Sequence, residues 1–166
     1  MTTRKAIRKA KPPPDTQAPS PQDHLQLDRF LPYRLSVVAN RVSRAIAQIY
    51  EREFDLSIPE WRVMAVLAQR PGITATQLVA ATAMDKVAIS RAVKRLGAMS
   101  RVFALTDESD ARRQRLRLTT KGEALYRRIA PQALTYESQL LEILGPAAAR
   151  DLDDALDCLL RALPEA

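Results

Sequence analysis

The sequence predicts a mainly α-helical chain with one small β-hairpin. Three observations carry this expectation. Apolar residues recur at three- and four-residue steps along most of the chain, the spacing of one helix face. Glycine is scarce, with four in 166 residues, while Ala and Leu are plentiful, a composition that favours helices. Two short β-capable runs, "RVFAL" and "RLRL", flank the polar stretch "TDESDARRQ", the pattern of a hairpin with a charged tip.

Residues 1–24 hold five of the eleven prolines and almost no bulky apolar side chains, so they read as a disordered arm. Its basic residues Arg4, Lys5, Arg8, Lys9 and Lys11 either touch phosphates non-specifically or are simply solvated. From Pro32 to Phe54 the pattern is helical, with Leu35, Val38, Val42, Ile46, Ile49 and Phe54 expected inward. Val37, Ala45 and Tyr50 widen that arc, as in a helix covered on more than one side. Ser57 and Glu60 form a capping-box pattern with Pro59 in the first turn, opening a helix over 58–69 with Trp61, Met64, Val66 and Leu67 mostly inward. "RPGI" breaks the chain. Thr74 and Gln77 repeat the capping box before a short helix over 75–81. After the tight turn "TAMD", Asp85 is placed to cap the next helix. The hairpin strands are expected at Arg101–Leu105 and Arg115–Leu118. Thr119 or Thr120 then caps a long helix from Lys121 to about Leu144, bent near Pro131. Gly145 and Pro146 end it, and Leu152, Leu156, Leu159 and Leu163 mark a last helix.

Charge is unevenly distributed. The chain carries a net +7. Residues 86–128 hold twelve basic and four acidic residues, so +8, whereas residues 129–166 hold two and seven, so −5. This asymmetry points to a polyanionic partner for the middle segment or to a solvated basic surface. The single cysteine, Cys158, allows no intrachain disulfide and no cysteine cluster, as suits a reducing cytoplasm. Cys158 is expected in the core of the last helix rather than as a sensor. No apolar run approaches a membrane span, and the N-terminus lacks the apolar region of a secretory signal. There is no Ser/His/Asp set, no metal-ligand cluster and no phosphate-binding glycine loop, so no enzyme activity, cofactor or metal is expected.

The stretch "MDKVAISRAVKRL" decides the functional reading. On a helical wheel Ile89, Ala92, Val93 and Leu96 share one arc of roughly 100°. Lys94, Val87 and Arg91 point the opposite way, flanked by Ser90 and Lys86. Val87 thus sits amid cations. Either it packs under the hairpin or a neighbouring helix, or it meets a thymine methyl in a DNA major groove. Arg91 and Lys94 then reach guanine acceptors or phosphates, and Ser90 either. A short helix, a tight turn and a basic helix form a helix-turn-helix signature, and the hairpin that follows reads as a wing. Arg112 and Arg113 at its tip suit a narrow minor groove, with Asp110 placed to orient Arg112. Thr74, Lys86, Val87, Ser90, Arg91, Lys94, Arg95, Arg112 and Arg113 form the expected DNA-contacting set. The alternative is a winged-helix module whose basic face meets an acidic protein.

From about Leu31 to Leu163 the sequence resembles the multiple antibiotic resistance regulator (MarR) family of winged-helix regulators. The resemblance is carried by "LSIPEWRVMAVLAQRPGITATQLVAATAMDKVAISRAVKRL" followed by "TDESDARRQRLRLTTKG". The second stretch resembles the family's wing pattern, with Asp107, Asp110, Arg112, Leu118, Thr119 and Gly122 fitting. Ala111 stands where many members have arginine, and Ser100 where a glycine usually begins the wing.

The resemblance implies a mainly α fold with a small β-wing and an intertwined helical dimerisation region. It divides the chain into a dimerisation helix over 25–56, a winged helix-turn-helix domain over 57–119 and C-terminal dimerisation helices over 120–166. It further implies a cytoplasmic homodimer on a palindromic double-stranded DNA operator, released by a ligand or by oxidation. "LPYRLS" and "SIPEWRVM" look similar to members that govern catabolism of aromatic acids. That suggests a repressor answering a small aromatic acid or its CoA thioester. Tyr33, Arg34, Arg41, Arg44 and Trp61 are the candidate effector residues; these arginines bind either such an anion or acidic helix faces and solvent.

Overall fold

The structure is a computed structural model that describes residues 25–106 and 113–163. The proline-rich arm and His24 lie outside the described residues, as do Asp107, Asp110, Ala111 and Arg112. In chain order the elements are α1 (Leu31–Phe54), α2 (Ile58–Gln69), α3 (Ala75–Thr82), α4 (Lys86–Ala98), β1 (Val102–Thr106), β2 (Gln114–Leu118) and α5 (Thr120–Ala162). Gly145, with φ 74° and ψ 162°, interrupts α5 and leaves two helical stretches, as the Gly-Pro pair predicts. Upstream of that break the helix runs on through Pro131. No helix of the described residues is long and apolar enough to cross a membrane.

Contacts divide the chain into two units, Met1–Val38 and Ala39–Ala166. In the first, a turn closed by the Arg29 and Phe30 amides on the Gln26 carbonyl (3.0 and 2.9 Å) leads into the first residues of α1. The second unit contains the core. Tyr50, Leu56, Val63, Met64, Leu67, Leu78, Ile89, Leu96 and Ile129 are essentially inaccessible there, so all five helices contribute to one apolar cluster.

Helix starts follow the caps read from the sequence. The Ser57 amide donates to Glu60 Oε2 at 2.8 Å, and the Thr74 amide to Gln77 Oε1 at 2.8 Å. Asp85 Oδ1 accepts from the Ala88 amide at 2.8 Å. Each side chain satisfies an amide that the helix start would otherwise leave without a partner. The inward face of α1 differs from expectation. Ala47, Tyr50 and Phe54 are buried, Ile46 and Ile49 pack against the core, and Leu35 and Val38 are exposed.

The hairpin is antiparallel, with Val102 opposite Leu118 and Thr106 opposite Gln114. Ile73 adds an isolated bridge to Leu116. The Leu116 amide donates to the Ile73 carbonyl (2.9 Å) and the Gly72 amide to the Leu116 carbonyl (2.8 Å). The chain break "RPGI" therefore forms a third edge that anchors the wing base. Alternation along β2 buries Leu116 and Leu118 and turns Arg115 and Arg117 outward.

The junction from wing to α5 gives the "LTTKG" pattern a physical basis. Thr119 Oγ1 accepts from the Gly122 amide (3.0 Å) and donates to the Ser100 carbonyl (2.7 Å). The Thr119 amide donates to the Arg101 carbonyl (3.0 Å). Gly122 is buried against that same carbonyl, and a Cβ there would collide with its oxygen. Glycine is required because the neighbour is backbone and cannot swing aside. Gly122→Ala is expected to cost about 1–3 kcal/mol or more through forced overpacking, read as a lower urea midpoint with an unchanged slope.

Tyr50 is buried, and its phenol is pushed up from 10.0 to about 12, chiefly by burial, then by the nearby Glu51 charge and against the opposing pull of Arg62. The raised acid favours the neutral form in the folded state. Its stabilising contribution is complete below about pH 10 and disappears as pH rises through about 12. Alkaline unfolding curves measured between those values should be flatter for Tyr50→Phe than for the parent chain.

Candidate nucleic-acid interface

α4 is anchored by one face and free on the other. Ile89, Ala92 and Leu96 are buried, and Val93 packs partly against the core. Lys86, Ser90, Arg91 and Lys94 are exposed. Val87 is 58% exposed, so it packs under neither the hairpin nor a neighbouring helix. Lys86, Ser90 and Lys94 line a groove of about 560 Å³ that is walled by Thr76 and Val79 of α3 and by Gln114 of β2. Val87 and Arg91 lie on α4 outside that lining. Thr74 and Arg113 are brought to a second groove, of about 610 Å³, at the start of α3. The Thr74 hydroxyl is already engaged with Gln77, accepting from its amide at 3.3 Å and donating to its Oε1 at 3.2 Å. Arg112 and the orienting Asp110 lie outside the described residues.

Arg95 is used differently from its neighbours on the helix. Its guanidinium donates to Asp55 Oδ1 at 2.9 Å and approaches Glu60 Oε1 to 3.2 Å. Glu60 is 2% exposed. The hydrogen bond from Arg95 to Asp55, and then the charges of Glu60 and Asp55, raise the Arg95 pKa. Helical position alone groups Arg95 with the outward cations, but the fold brings two carboxylates from 35 and 40 residues upstream to meet it. It ties α4 to the start of α2 and thereby sets the angle at which Val87 and Arg91 project. Other arginines secure the second half of α1. Arg101 Nη2 donates to the Phe54 carbonyl (2.8 Å) and Arg62 Nη2 to Ser43 Oγ (3.0 Å). Arg128 pairs with Glu53 (2.8 Å) and lies 4.7 Å above the Phe54 ring.

The expected effector residues do not assemble into one site within the second unit. Trp61 is stacked between Tyr50 and Tyr126, with ring centroids 5.5 and 5.7 Å away, so both its faces are taken. Arg41 and Arg44 are exposed on α1. Tyr33 and Arg34 fall in the first unit and are exposed as well. Cys158, expected in the core, is exposed in this single chain because the helix around it turns only a few side chains toward the domain. Arg115 and Arg117 escaped the sequence reading. The period-two alternation of "QRLRL" places them on the outer face of the wing, and Arg115 Nη1 donates to the Gly72 carbonyl at 3.2 Å.

Residues 54–113 match the MarR family, the segment that contains α2, α3, α4 and β1. That segment is similar to the MarR family of transcriptional regulators. Solved structures agree over most of the chain. A MarR/EmrR family transcriptional regulator from Acinetobacter sp. ADP1 is 26% identical, covering 83% of this chain and 97% of that one, with a TM-score of 0.76. A MarR family transcriptional regulator from Silicibacter pomeroyi DSS-3 is 28% identical, covering 85% and 100%, with a TM-score of 0.73. The transcriptional repressor CouR, solved on a 23-mer DNA duplex, is 25% identical, covering 82% and 93%, with a TM-score of 0.66. No curated protein matches the chain. The mainly helical fold with its two-stranded wing is that of these regulators.

Because Glu60 is buried, removing its cationic partner leaves a carboxylate with less to compensate its lost hydration. Arg95→Ala is expected to lower the melting temperature at neutral pH. Glu60→Gln in the same background should recover part of the loss, and a double-mutant cycle by thermal denaturation checks the coupling.

Proposed function

We propose that this chain is a MarR-type regulator that binds a palindromic operator as a homodimer and represses transcription in the cytoplasm until a small aromatic acid or its CoA thioester releases it. The observation that carries the DNA reading is the outward face of α4. An exposed valine lies among Lys86, Ser90, Arg91 and Lys94 on a helix whose other face is buried. Major grooves accept such a helix. Arginine pairs with guanine acceptors, and a small apolar side chain meets the thymine methyl. The net +8 of residues 86–128 supplies attraction to phosphates. Arg113 extends the positive surface to the start of β2. CouR, a relative of the same fold, is held on a duplex in its own structure.

The dimer is supported by apolar side chains that the chain leaves in water. Leu134, Leu141, Ile143, Leu156 and Leu160 of α5 are all exposed, Ile143 by 82%. A surface of this kind is expected to be covered by another polypeptide. A second copy satisfies it and gives two α4 helices for two half-sites one helical turn apart. The aromatic-acid reading is supported by the exposed cations Arg41 and Arg44 in the middle of α1.

Footprinting with the purified chain should reveal one preferred inverted repeat, bound more weakly as salt is raised. Arg91→Ala should lose about 1–3 kcal/mol and relax the preference at one base pair. Val87→Ala should weaken binding at one A·T step more than elsewhere. An absence of any preferred site, or an Arg91→Ala affinity equal to that of the parent, overturns the reading.

A further inference from the structure

A groove of about 950 Å³ lies within the second unit, between the α3–α4 turn and the far end of α5. Most of its wall is apolar, with Ile73, Val79, Ala80 and Met84 on one side and Leu160 and Leu163 on the other. The two leucines are 74% and 63% exposed, so the chain leaves the groove unfilled. Arg70 and Asp85 bring one charge of each sign to it. Asp85 also caps α4, so whatever fills the groove touches the turn that starts the basic helix. A projection of matching chemistry stands at the corner within α5. Ile143 is 82% exposed, more than any other bulky apolar residue among those described, and Leu144 beside it is exposed as well. Gly145 then turns the backbone with φ 74°, and a Cβ there would meet nothing within 4 Å. Glu142 and Arg150 flank this corner in the sequence. Both are exposed, and among the described residues neither has an ion-pair partner. The corner is thus an apolar knob between an acid and a base, and the groove an apolar cleft with a base and an acid.

We infer that the corner of one copy seats in the groove of a second copy, with Ile143 and Leu144 against Met84 and Leu160, and with Glu142 on Arg70 and Arg150 on Asp85. The inference rests on the homodimer reading and adds to it a contact on the α3–α4 turn, which a dimer held by α5 alone does not contain. Geometry favours a second copy as the occupant. The last stretch of α5, from Pro146 to Ala162, is about 25 Å long at 1.5 Å per residue. A two-fold axis that runs two such stretches antiparallel sets the Leu160–Leu163 end of each beside the corner that begins the other, and it does so twice. The groove therefore continues the apolar strip of α5 assigned to the dimer. A chain cannot fill its own groove in this way, because its corner lies at the opposite end of that stretch. The consequence is mechanical. The turn that carries the cap of α4 is gripped by the other copy, and the spacing of the two α4 helices is set by that grip as well as by α5.

Sedimentation of the full chain and chemical crosslinking test this contact. Ile143→Glu should weaken dimerisation about tenfold or more while leaving the helix content unchanged, since the side chain it replaces stands in water in the single chain. Glu142→Arg and Arg70→Glu should each weaken the dimer about threefold, and their combination should restore the affinity of the parent. In a Cys158→Ser background, which removes the single native thiol, Ala80→Cys chains mixed with Ile143→Cys chains should give a covalent dimer with a short bis-maleimide. Neither variant alone should give one. Failure of any one of these three results in a chain that still dimerises overturns the contact, leaves the groove to another occupant and keeps the homodimer reading. A parent chain that sediments as a monomer overturns both.

Discussion

Glu60 is an acid in an apolar setting, and much of the junction between α2 and α4 is arranged around it. One of its oxygens closes the first turn of α2 on the Ser57 amide. The same carboxylate receives Arg95 from α4. A buried carboxylate is tolerated only when charge and hydrogen bonds replace its lost water. The arrangement therefore couples the start of one helix to the pitch of another. Asp55, in the link between α1 and α2, completes the bracket from the solvent side. The outward face of α4 is thus oriented by polar geometry as well as by apolar packing. Packing alone fixes which face is in; a directional ion pair also fixes rotation and slide.

The parts of this arrangement that are local in sequence could be read in advance. Ser57 with Glu60, Thr74 with Gln77, and Asp85 each announce a helix start three residues ahead, because capping is a contact between near neighbours. The two faces of α4 were legible for the same reason, since helical spacing sorts Ile89 and Leu96 from Val87 and Lys94. What could not be read is what distant segments bring together. Nothing near Arg95 in the sequence distinguishes it from Lys94; its partners lie far upstream. Trp61 attracted attention as a ligand residue, yet its ring faces are filled by Tyr50 and Tyr126. The α1 pattern misled in a different way. Its apolar residues serve more than one surface, so spacing alone identified a broad arc but did not rank Tyr50 and Phe54 above Leu35 and Val38.

The wing base shows how few residues hold a two-stranded sheet in place. A pair of strands alone is marginal in water. Here the bridge from Ile73 to Leu116 extends the sheet by one edge, and the carbonyls of Ser100 and Arg101 are both taken by Thr119. The wing is therefore fastened at its root on both sides, to the link before α3 and to the cap of α5. Its root is thus rigid where the charged tip departs from it.

The two ends of α4 have a further property. Ala83, before the helix, and Ser100, just after it, both adopt left-handed backbone, with φ of 50° and 56°. Side chains with a Cβ rarely accept that region, and each costs roughly 1 kcal/mol relative to glycine. The chain keeps this cost at the two corners that frame its most exposed helix. At Ser100 a glycine would adopt the same backbone without that cost, so serine leaves the path of the chain intact while removing some stability. The segment from Ala83 to Ser100 thus holds reserve: drift toward glycine at either corner would firm the domain without altering the surface it presents, leaving slack against which substitutions on that surface can be tolerated.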